Sequence, residues 1–150
     1  MSVVYREEDD TYYERCKVDN QTIELGINYH DSNLHDRKGY FNIYISVSNK
    51  RKDMYKNMDK KVITGKNPIA NFLTARRMFL EVEAEVVREE LYHGPFDEIT
   101  IFCTWVNNRR RDAYYRVLSR YGYDWGKIDN QKCIMKTFKK EDYKNGWWIY

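Results

Sequence analysis

The sequence predicts a mixed α/β (α+β) domain in which one layer of twisted, mostly antiparallel sheet is covered by two main helices. Three observations carry this. Period-two alternation of apolar residues recurs over 22–30, 39–48, 99–106 and 132–138. Two stretches of helical spacing, 68–91 and 108–121, stand among the later of these strands. The first two strands are joined by a short polar turn, so they pair as an antiparallel hairpin.

Taken in order, residues 1–20 are polar, with a helical tendency from Glu7 to Lys17. The first expected strand sets Ile23, Leu25, Ile27 and Tyr29 on one face. DSNLHDRK (31–38) is a polar turn. The second strand aligns Phe41, Ile43, Ile45 and Val47, with Tyr40, Asn42, Tyr44 and Ser46 opposite. A charged connector, 49–61, leads to the long helix. Asn67 caps that helix and Pro68 suits its first position, where no amide hydrogen is needed. Gly94-Pro95 marks a turn.

The strand at 99–106 is apolar or β-branched on both faces, which places it inside the sheet. Asn107 and Asn108 then offer N-cap chemistry to the second helix. Tyr114, Val117, Leu118 and Tyr121 share a helical face, and Gly122 falls where a left-handed stop is wanted. The closing Trp147-Trp148-Ile149-Tyr150 is expected to dock back on the domain, or to form a homodimer interface.

With 150 residues the chain suffices for one domain, 1–150, with a core of its own. Met1 to Tyr13 is acidic and does not read as a secretory leader, and no apolar run reaches bilayer length. A soluble cytoplasmic protein that does not engage membranes is therefore expected. Three cysteines and three histidines show no metal or redox spacing, so no metal site is predicted; Cys103 and Cys133 read as small core residues. The net charge of +3 is too small to specify a nucleic-acid partner, although its distribution is uneven. Lys50, Arg51 and Lys52 begin a basic connector, and Arg109, Arg110 and Arg111 cluster at a helix start. Fourteen tyrosines either pack a core with hydrogen-bonding tips or present an adhesive surface.

Two motifs carry chemistry. Thr64-Gly65-Lys66-Asn67-Pro68-Ile69-Ala70 is a glycine-bearing loop entering a helix, where free amides and the helix dipole favour an anion such as a pyrophosphate. It lacks the second element of a P-loop. In TWVNNRRRDAYYRVLSRYGY (104–123), a strand ends near Trp105 and passes through Asn107-Asn108 into a helix that stops at Gly-Tyr, an arrangement that builds a cleft.

Together these two segments resemble the GNAT-type N-acetyltransferase superfamily over residues 39 to about 138. The resemblance implies a GNAT-like fold and an acetyl-CoA-dependent N-acetyltransferase acting on a small-molecule or protein amine. It assigns cofactor binding to Thr64, Gly65, Lys66, Asn67, Ile69 and Ala70, and to Trp105, Asn107 and Asn108. Glu24 and Glu98 are then candidate bases and Tyr115 the candidate acid. The family's tyrosine acid lies four residues before the glycine, where this chain has Leu118. The alternative is a non-catalytic binding or inhibitor protein on the same scaffold, for example a phage-encoded one, acting on a protein or nucleic-acid partner. For nucleic acid the candidate contacts are Lys50, Arg51, Lys52 and Arg109 to Arg111.

Overall fold

The computed structural model describes residues 3–18, 20–48 and 68–143. Residues 64–67 of the predicted anion loop, the basic connector and the aromatic C-terminus lie outside these residues. Seven strands form one sheet in the order β1-β2-β3-β4-β5-β7-β6. They are β1 (Val4–Arg6), β2 (Thr11–Val18), β3 (Gln21–Asn33), β4 (Lys38–Ser48), β5 (Glu98–Cys103), β6 (Asp124–Ile128) and β7 (Gln131–Lys139). Two α-helices, α1 (Pro68–Val86) and α2 (Asn108–Leu118), complete the mixed α+β fold. Every neighbouring pair is antiparallel except β4 and β5, which run parallel.

The expected hairpin is present, and β3 and β4 both reach further into the polar turn than the alternation suggested. Ile23, Leu25 and Ile27 of β3 join Phe41, Ile43, Ile45 and Val47 of β4 on the core face. Ile99 and Ile101 of β5 and Ile134 and Phe138 of β7 extend that face. Met78, Phe79, Val82 and Val86 of α1 cover it. Each large apolar side chain so buried contributes about 1.5–3 kcal/mol.

Four expectations need correction. The helical tendency over Glu7–Lys17 gives way to a single 3-10 turn (Glu7–Asp9) and strand β2. Its inward face is Tyr12, Glu14, Cys16 and Val18, and the charge at Glu14 hides the alternation. Strand β6 was not foreseen, because an edge strand with Gly126 at its centre and one large apolar residue near its start carries little pattern. The strand predicted over 99–106 stops at Cys103, since residues 104–106 are spent on entering α2. The long helix is α-helical only to Val86; a π-helical turn, Val87–Tyr92, follows, closed by His93 N–H donating to the Arg88 carbonyl at 2.9 Å. That turn buries both Val87 and Leu91, which accounts for the wide apolar spread of the segment.

The tyrosines divide by role. Tyr12, Tyr44 and Tyr123 are buried, and each hydroxyl donates to a glutamate: Glu90 at 3.0 Å, Glu24 at 2.6 Å and Glu83 at 2.6 Å. Burial first, and then the neighbouring carboxylate, raises all three phenols above their ordinary range. These residues fill the core and satisfy their polar tips inside it. Cys103 and Cys133 are buried, as their positions in the strands predicted.

Candidate functional site

The parallel pairing of β4 with β5 joins Lys38–Asn42 to Glu98–Phe102 and goes no further. β4 continues through Ile43–Ser48, whereas β5 ends one residue beyond the last pair and its chain turns toward α2. The sheet therefore opens between two neighbouring strands. Leu25, Ile43, Ile45, Phe79, Val117 and Leu118 give the gap apolar walls, and Tyr44, Arg76, Cys103, Thr104 and Tyr114 complete its lining. The result is a narrow cleft of about 90 Å³.

Local sequence fixes this geometry. Asn107 is extended (φ −154°, ψ 166°), and its Oδ1 accepts from the Arg110 backbone N–H at 2.9 Å, so α2 starts where the asparagine pair predicted. At the other end Gly122 adopts φ 91°, and Tyr123 N–H returns to the Leu118 carbonyl at 3.2 Å. Lys136 Nζ donates to the Tyr121 carbonyl at 2.8 Å, placing a cation at the helix end. α2 is thus held at both ends and sets Ala113, Tyr114, Val117 and Leu118 against the cleft.

The sequence-predicted residues fall in different places. Thr64, Gly65, Lys66 and Asn67 lie outside the described residues; Ile69 and Ala70 belong to the first turn of α1. Glu24 is fully buried. Its Oε1 accepts from Arg15 Nε at 2.5 Å and its Oε2 from the Tyr44 hydroxyl, on the face of the sheet opposite the cleft-lining Leu25, Ile43 and Ile45. Glu98 stands at the far end of β5, facing Lys38 Nζ at 3.7 Å, about 16 Å from the cleft at ~3.3 Å per residue. Tyr115 is on another side of α2. Its ring stacks on Trp125 (centroids 4.3 Å apart, planes 8° apart), and its hydroxyl donates to Asp124 Oδ1 at 3.3 Å. The structure does not bring Glu98 or Tyr115 together with Glu24.

Trp105 stands edge-on to Trp125 and packs against the core cluster, and Asn108 accepts from Arg111 Nη1 at 3.4 Å. The three arginines do not make one patch, because Arg110 is buried while Arg109 is exposed. Lys50, Arg51 and Lys52 lie outside the described residues.

No family model matches the sequence, and no curated protein matches it either. Among solved structures the chain is similar to the N-terminal domain of a ribosomal-protein-alanine acetyltransferase from Clostridium acetobutylicum ATCC 824. That match has 11% identity over 94% of this chain and 98% of the other, with a TM-score of 0.41. A score at that level transfers neither activity nor residue roles.

Sequence reading missed Tyr114 and Tyr44 as cleft residues. Tyr114 lies on the apolar face of α2, and that face borders the cleft as well as the core. Tyr44 sits on the second face of β4, buried, with its hydroxyl turned to Glu24. No helix among the described residues is long and apolar enough to cross a membrane.

Proposed function

We propose that the protein binds a coenzyme A thioester, acetyl-CoA being the simplest, in the cleft between β4 and β5 and transfers its acyl group to an amine. One observation carries this reading: β4 runs past its last pair with β5, whose chain turns away toward α2 and opens the sheet beside Ile43 and Ile45. A strand edge bordered by apolar side chains suits an extended arm that contains amides, because the backbone supplies hydrogen bonds and the walls exclude water.

When bound, the thioester supplies an activated acyl group. The chain's own residues hold and polarise it. Backbone N–H groups of the open β4 edge are the donors for the thioester carbonyl oxygen. Tyr114 is the phenol suited to return a proton to the leaving sulfur, while the attacking amine releases its proton to solvent. The loop Thr64–Asn67 and the start of α1 hold the pyrophosphate in this reading, as the family resemblance implies. Isothermal titration with acetyl-CoA and with coenzyme A tests it. Micromolar binding that is lost in both Gly65→Glu and Ala113→Trp supports the cleft; no binding at millimolar ligand rejects it.

A non-catalytic binding protein on the same scaffold is the second reading. It is favoured by the single 3-10 turn between β1 and β2, which offers no helix against which an acceptor could be seated. Coenzyme A binding without turnover across an amine panel would select it.

A further inference from the structure

A second basin lies between the start of α2 and the β6–β7 hairpin, with a volume of about 600 Å³, and shares no lining residue with the cleft. Its wall is an aromatic array. Trp125 stacks on Tyr115, and Trp105 meets Trp125 edge-on, with centroids 5.8 Å apart and planes at 86°. Trp125 nevertheless remains 49% exposed on an edge strand. A large indole held rigid by two neighbours and still open to solvent is a ready stacking platform.

The charges beside it point the same way. Lys127 and Lys132 are directly opposite each other in the β6–β7 register, and both are exposed. Like charges at a cross-strand pair repel. No carboxylate among the described residues pairs with either lysine, whereas Arg111, also at the basin, is paired with Asp112 at 2.9 Å. An anion seated between the two lysines would relieve their repulsion, next to a surface that accepts a flat ring.

We propose that this basin binds a nucleobase–phosphate unit, the base stacking on the Trp105–Trp125 array and the phosphate held by Lys127 and Lys132. The unit could belong to a free nucleotide or to a single strand, and the basin's size suits one nucleotide. The site is independent of the coenzyme cleft and does not depend on the function proposed above.

The test follows tryptophan fluorescence on the full chain without coenzyme A, whose own adenine nucleotide would compete for the basin; the basin variants, none of which touches the cleft lining, separate the two sites. Adenosine monophosphate and a short oligothymidylate are titrated separately at low salt. Saturable quenching by either one is expected. It should weaken about tenfold or more in Trp125→Ala, the range of one lost base stack. Lys127→Glu/Lys132→Glu, at exposed positions that leave the core untouched, should abolish it.

Quenching by the mononucleotide alone identifies the free nucleotide as the source. Tighter binding of the oligonucleotide, with a log–log salt slope of about −1.4 for two phosphate contacts, identifies a strand. No quenching by either ligand, or quenching unchanged in both variants, overturns the proposal. Quenching that depends only on protein concentration also overturns it and makes the aromatic array a self-association surface.

Discussion

Replacing Glu14 by glutamine should stabilise the protein in mildly alkaline solution and leave it unchanged in acid. Glu14 lies on the inward face of β2 at 1% exposure, and no donor among the described residues reaches either carboxyl oxygen. Burial, followed by the facing Glu81 carboxylate of α1, pushes its pKa from the ordinary 4.5 up to about 7, against a smaller opposing effect of Arg77. A raised acid binds its proton more tightly in the folded state. Stability from this group is therefore complete below the unfolded pKa and falls as pH climbs through the folded one. A rise of that size corresponds to roughly 3 kcal/mol at about 1.4 kcal/mol per pH unit. Glu81 is 30% exposed and already paired with Arg77 at 2.8 Å, so solvent screens part of the repulsion and about 2 kcal/mol is the better expectation. Glutamine keeps the shape and a donor for Glu81 but cannot ionise. Urea denaturation of both proteins across about pH 4 to 8.5 should give a difference that grows from near zero to about 2 kcal/mol in favour of the variant. A difference that is constant with pH, or a variant less stable at the alkaline end, would refute the reasoning.

Asn107→Ala removes the side-chain acceptor from the start of α2 and should cost about 1 kcal/mol in denaturant unfolding, largely restored by Asn107→Asp. Tyr123→Phe strips Glu83 of its 2.6 Å donor and should cost about 1–3 kcal/mol, less in acid where the carboxyl, already raised chiefly by burial, can protonate. Gly26→Ala would set a Cβ 2.5 Å from the Tyr44 ring, whose hydroxyl is tied to buried Glu24; about 1–3 kcal/mol of destabilisation is expected in the same assay.

Some of this molecule can be read directly from residue order. The strands at 22–30, 39–48 and 132–138 announce themselves because their inward positions are apolar, and α2 because an asparagine cap and a left-handed glycine bracket it. Where an inward position is charged, as at Glu14, the same physics produces no visible alternation, and the segment Glu7–Lys17 shows only a helical tendency. The candidate site was legible only as a place. Tyr114 and Tyr115 differ by about 100° around their helix, at 3.6 residues per turn. Both faces of α2 are tyrosine-bearing, so the sequence cannot say which phenol borders the cleft. The packing of Tyr115 onto Trp125 of β6 decides it, and β6 was the strand with the least pattern. The separation of β4 from β5 is likewise a non-local event, set by where α2 begins.

The buried carboxylate of β2 has a second consequence, which concerns how copies of the protein meet. β1 pairs with only Thr11–Tyr13, so among the described residues the outer edge of β2 from Glu14 to Val18 has no strand beside it. Bare edges of this kind recruit strands from other molecules, and an inward-pointing charge is one device that makes such recruitment unfavourable. Glu14 occupies the first position past the β1 pairs. The glutamine variant should thus be the more stable monomer and the more readily aggregating one, visible as faster growth of light scattering in alkaline buffer. Natural selection acting on this strand would then be weighing fold stability against solubility at a single carboxyl group.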